Sequence, residues 1–218
     1  MEQSDTVAVY IDGFALYHAL LRKTFPQYKW LDVRKMCELL FPERDVASVK
    51  YFSAPMKPFT NDPGIGQRQQ AYWDALRESR VEIVEGNFIF SKQYLPYHPE
   101  QLDGNGRVMT VRVKRPEEKG TDVALATHLL IDAFESPTTS FAILTNDSDL
   151  VPPIQKLAER GFDISLISVV GPAYNKAFTS DIIRSVRQIR DGVLAASQLP
   201  VEIISPSGRR IRKPPSWG

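Results

Sequence analysis

Short apolar runs alternate with amphipathic stretches along most of the chain. Val7-Ala8-Val9-Tyr10-Ile11 is β-branched and ends at Asp12-Gly13, and a helical pattern through Leu16, Ala19 and Leu20 follows. This reads as strand, tight turn and helix. Asp32 is placed to cap a second helix that buries Val33, Met36, Leu39 and Leu40. Further strands are predicted over residues 46–52, 81–84, 88–90, 107–113 and 141–144, with another between 162 and 170. Helices are predicted over 67–79, after Thr121, around Ile154 to Ala158, and over 179–189. Strands alternating with helices predict an α/β fold, with a mostly parallel central sheet and helices on both faces. Residues 1–193 form the expected domain, and 194–218 a basic, Pro-containing C-terminal tail, extended or partly ordered.

Composition narrows the class. The 218 residues are 43% hydrophobic and 24% charged, which excludes a disordered or coiled-coil chain. No apolar run reaches the roughly 18 residues of a membrane span. The polar start Met1-Glu2-Gln3-Ser4-Asp5 predicts no secretory leader, and the one cysteine, Cys37, cannot form an internal disulfide or a thiolate cage. The expected location is cytoplasmic. The net charge of +1 is unevenly spread: residues 107–119 carry five basic side chains against two acidic ones, and 201–218 carry four against one.

In an open parallel sheet, ligands bind beyond the carboxyl ends of the strands. Asp12 follows the first strand, and Asp147 and Asp149 follow the strand 141–144. Asp122 opens a helix after the Gly120 turn, with Glu118 close by in the chain. Each alone has a structural role available as a helix cap, a turn residue or a first-turn acid. Gathered together they need a counter-ion, and hard carboxylates without Cys or His partners suit Mg²⁺ or Mn²⁺.

Tyr10-Ile11-Asp12-Gly13-Phe14, the run from Glu118 to Ala126, and Thr145-Asn146-Asp147-Ser148-Asp149-Leu150 resemble the motifs of the NYN domain family, the LabA-like branch of the PIN-like nucleases. The resemblance spans about residues 7–190 and implies a Rossmann-like, PIN-like fold. It also implies a metal-dependent ribonuclease, here an Mg²⁺- or Mn²⁺-dependent endoribonuclease. Asp12, Asp122, Asp147 and Asp149 would then be catalytic residues and metal ligands, with Glu118 as a further ligand and Lys119 as a charge stabiliser on phosphate. Two positions depart from the family pattern: Ala15 stands where Asn is usual, and His128 where a further Asp often occurs. The alternative is therefore a catalytically weak or inactive NYN-fold module that binds RNA or regulates. Asp147-Ser148-Asp149 also resembles the Asp-x-Asp of Toprim sites, but that does not account for all three motifs in order.

The expected partner is RNA, single-stranded or structured, bound through Arg112, Lys114, Arg115 and Lys119. Tyr17, Phe59 or Trp73 are candidates for stacking on bases, although Phe14, Tyr72 and Trp73 also read as helix-core residues. No membrane partner is expected, and a homo-oligomer is allowed.

Overall fold

The computed structural model describes residues 5–58, 62–169 and 174–217, with the side chains of Arg115 and Pro116 left out. The elements run β1 (Thr6–Asp12), α1 (Gly13–Ala15, continuing as a wide π turn over Leu16–Leu21), α2 (Val33–Leu40), β2 (Asp45–Ser53), α3 (Ile65–Glu78), β3 (Glu82–Glu85), β4 (Asn87–Pro96), β5 (Thr110–Lys119), α4 (Thr121–Glu135), β6 (Ser140–Leu144), α5 (Val151–Ala158), β7 (Asp163–Ser168), β8 (Ser185–Gln188), α6 (Asp191–Ala196), β9 (Glu202–Ile204) and β10 (Arg210–Arg212). Six strands form one sheet in the order β3-β2-β1-β6-β7-β8, and every pairing in it is parallel. Strand order reverses between β1 and β6. A crevice therefore opens at their carboxyl ends, where the connections diverge to opposite faces.

Both faces of the sheet are covered, so β1 and β6 read as unbroken apolar runs. Val7, Val9 and Ile11 pack on one side with Trp30, Met36, Cys37, Tyr72 and Trp73. Ala8 and Tyr10 pack on the other with Leu125, Leu129, Ile154 and Leu157. This satisfies the α/β expectation. No helix among the described residues is long and apolar enough to cross a membrane.

Several local expectations are corrected. Asp32 caps α2 by accepting from the Lys35 amide, but Leu39 is exposed and Cys37 takes the buried position. The helix expected over 179–189 is a turn followed by β8, because Ser185–Gln188 extends the parallel sheet beside β7. Ile182 and Ile183 are buried within that turn. Residues 194–217 are folded onto the domain. Leu194 is buried, β9 and β10 form an antiparallel hairpin, Ile211 joins the core, and Trp217 packs against Trp30 and Tyr72 with ring centroids at 6.2 and 5.7 Å.

The second face contains a polar network. Lys50 of β2 ion-pairs with Asp132 of α4 at 2.6 Å, and the fully buried Tyr10 hydroxyl donates to the same carboxylate at 2.5 Å. Lys50 also meets His128 Nδ1 at 3.3 Å, so His128 is part of the helix-to-sheet packing. Removing one partner of such a group strands the others away from water. Asp132→Ala is therefore expected to destabilise the fold by about 3 kcal/mol in urea unfolding, and a change near zero would show that the network is solvated.

Candidate functional site

Asp12 ends β1 at the reversal of strand order. The chain must turn there into α1, and Gly13 permits it: a Cβ at this position would stand 2.6 Å from the Tyr51 ring. Asp12 is buried, and its Oδ1 accepts from the amides of Phe14 and Ala15 at 3.0 and 2.9 Å. Its carboxyl pKa is raised by burial, offset in part by those two amides, with Asp147 and Glu118 adding to the rise.

The other acids meet the same edge from α4 and from the segment after β6. Gly120, with φ +90°, turns the chain from β5 into α4. Asp122 lies in the first turn of α4, and its pKa is raised to about 6 by burial and then by Asp12, Asp147, Glu118 and Asp149. Glu118 Oε1 accepts from the Thr121 amide at 2.8 Å and from the Thr121 hydroxyl. Asp147 Oδ1 accepts from the Asp149 amide at 2.9 Å, and Asp149 itself is exposed. Thr145, to which the sequence assigned no role, joins the two walls. This buried hydroxyl donates to Asp12 Oδ2 at 3.5 Å and accepts from the Asp147 amide at 3.1 Å. A hydroxyl residue directly after an apolar strand was the available signal.

Asp12, Glu118, Asp147 and Asp149 are thus close enough to Asp122 to help raise its pKa. Proximity alone does not make a metal site. Among the described residues, no group of three or more His, Cys, Asp or Glu side chains could hold a metal ion. The hydrogen bonds supply a physical reason: Asp12, Glu118 and Asp147 each turn an oxygen onto the backbone of their own turn or helix start. Ala15 contributes an amide to Asp12 but no polar side chain. This overturns the expected Mg²⁺ or Mn²⁺ cofactor and, with it, the metal-dependent endoribonuclease and nuclease assignment. Lys119 does not join the acids either. It is exposed and pairs with Glu117 at 3.3 Å.

The basic residues expected to hold RNA lie on a separate two-stranded hairpin, β4–β5, which is antiparallel and outside the main sheet. Lys92 stands directly opposite Lys114, and Tyr94 opposite Arg112. Alternation places all four on one face with Phe90. Lys114 Nζ lies 4.3 Å from the Phe90 ring centroid. Lys92, Tyr94, Arg112 and Lys114 are exposed. The backbone of Arg115 pairs with Ser91, but its side chain lies outside the described residues, as does Phe59. Trp73 is 2% exposed and belongs to the core, and Tyr17 is half-buried.

The Asp122 shift fixes a sign. A carboxyl whose folded pKa lies above its unfolded value favours folding at low pH, and that contribution is lost as pH rises through the folded value. For Asp122 the window lies between about 4 and 6. Asp122→Asn is expected to raise thermal stability at neutral pH by on the order of 1 kcal/mol after allowance for solvent screening. The gain should shrink toward zero near pH 4, and equal gains at both pH values would show that the acids do not interact.

Comparison with known proteins places this geometry. The NYN domain model matches residues 6–190. The 6-hydroxy-3-succinoylpyridine 3-monooxygenase of Pseudomonas putida is 30% identical over 239 aligned residues, which cover 96% of this chain and 74% of that protein. A crystal structure of a protein of unknown function from Vibrio parahaemolyticus superposes with a TM-score of 0.57 at 16% identity, covering 91% of this chain and 99% of that one. At that identity the likeness concerns the fold alone. With both the strand-end acids and the family match accounted for, the chain belongs to the NYN domain family.

Proposed function

We propose that this protein is an NYN-fold RNA-binding or regulatory module whose RNA contacts do not depend on a divalent metal. The observation that supports this most is the directly opposed Lys92 and Lys114 on the exposed face of the β4–β5 hairpin. Like charges opposite each other on a sheet destabilise it. A phosphate between them turns that repulsion into attraction. Tyr94 and Arg112 form the next pair along the same face, offering a ring and a planar guanidinium for stacking on unpaired bases. NYN domains generally act on nucleic acids, which agrees with this reading.

The test is fluorescence anisotropy with labelled single-stranded RNA over a salt series, in EDTA and in excess Mg²⁺. Binding is expected in EDTA, is not strengthened by Mg²⁺, and falls steeply with salt. Substituting Lys92→Ala and Lys114→Ala together should weaken binding and reduce the log–log salt slope by about 1.4, at ~0.7 for each single-strand phosphate that is no longer neutralised. Binding that requires Mg²⁺, or a double variant indistinguishable from wild type, would contradict the proposal.

A second reading, action on a small aromatic molecule, is favoured by one feature. A cavity of about 620 Å³ adjoins the acidic edge, with Gly13 and Glu118 in its wall. That volume suits a small organic ligand. The Pseudomonas putida relative is named for its action on a succinoylpyridine, a ring bearing a carboxylate chain. The two readings use different residues: the hairpin face carries Lys92, Tyr94, Arg112 and Lys114, while Phe88 and Glu118 at the base of the same hairpin line the cavity.

A further inference from the structure

We propose that the cavity beside β1 is selective for single-ring aromatic carboxylates, held by stacking on its aromatic wall and by Arg22 and Lys29. The inference rests on the small-molecule reading above and adds the charge and class of the ligand.

The walls argue for a ring. Phe14, Tyr72, Trp73 and Trp217 line the cavity. Tyr72 is held in place because its hydroxyl donates to the Leu31 carbonyl at 2.8 Å, and its ring meets Trp217 edge-on at 5.7 Å. Trp217 comes from the C-terminal segment, so the turn after β10 supplies part of the wall. Rigid aromatic faces gain apolar contact area with little loss of conformational freedom.

The charges argue for an anion. Arg22 and Lys29 face the cavity, and among the described residues neither has a carboxylate partner. The Arg22 guanidinium meets the His18 ring nitrogen Nδ1 at 3.4 Å. The remaining charged groups in the wall are already engaged: Arg68 binds both oxygens of Asp62 at 2.7 and 2.5 Å, and Glu118 is turned to Thr121 at the start of α4. Arg22 and Lys29 are therefore available to a ligand carboxylate, which two cationic donors bind more strongly than neutral ones do.

Intrinsic tryptophan fluorescence, confirmed by calorimetry, tests this with the intact chain. The probes are 3-benzoylpropionate, its uncharged amide, and uridine 5′-monophosphate as the alternative aromatic anion. The proposal expects saturable binding of 3-benzoylpropionate, at least tenfold weaker binding of the amide and of the nucleotide, and at least a tenfold loss when Arg22→Ala and Lys29→Ala are combined. Both positions are at or near the surface, so circular dichroism should be unchanged. Equal binding of acid and amide, or a double variant with wild-type affinity, overturns the charge assignment and leaves the small-molecule reading standing. Preferential binding of the nucleotide overturns the carboxylate class. If neither the acid nor the amide binds while Trp217→Ala leaves fluorescence behaviour otherwise intact, the proposal and the reading beneath it both fail. Retained RNA binding by the Arg22 and Lys29 double variant keeps the outcome separate from the hairpin.

Discussion

Carboxylates crowd the crevice where β1 and β6 end, and the cost of holding that charge together shapes everything around it. A parallel sheet whose order reverses between these strands sends its connections to opposite faces, leaving Asp12 and Asp147 on either side of one opening. α4 brings Asp122 to the same edge. Burial and the neighbouring acids raise Asp122 to about 6, so it takes up a proton at a higher pH than an ordinary aspartate does. Backbone amides relieve more of it, because helix starts present unsatisfied N–H groups that an anion can accept from. Asp12, Glu118 and Asp147 are compensated in this way. Their capping bonds fix the carboxylates to three local turns, and no metal-holding group results among the described residues.

The sequence displayed the sheet well because burial on both faces leaves a simple trace. Val7 to Ile11 and Phe141 to Leu144 are continuous apolar runs, and each is followed by a polar turn. The short strand Ser185–Gln188 left no such trace. It lies at the sheet edge with half-buried side chains and has no continuous apolar run. The C-terminal segment was hidden for a different reason. Its prolines and arginines look like a solvated tail, while its anchors, Ile211 and Trp217, are single residues whose packing partners are distant in the chain.

The same limit applied to the site. Sequence order identified which acids follow strands, and so which acids share an address. It did not show which oxygen of each acid is committed to a backbone amide, since that depends on turn geometry at angles the motif does not encode. Thr145 illustrates the point. Its hydroxyl bridges Asp12 and the Asp147 amide across two strands, an arrangement visible only once β1 and β6 are paired.

Acids gather at the strand ends, while one face of the hairpin carries exposed cations beside an aromatic ring. Titration of the purified protein with Mn²⁺, followed by electron paramagnetic resonance of the free ion, tests the central claim most directly. If the carboxylates serve their own helix starts, free Mn²⁺ should rise linearly with no stoichiometric site, in wild type and in Asp147→Asn alike. A saturable site of one or two ions per chain, lost in Asp147→Asn, would contradict the account.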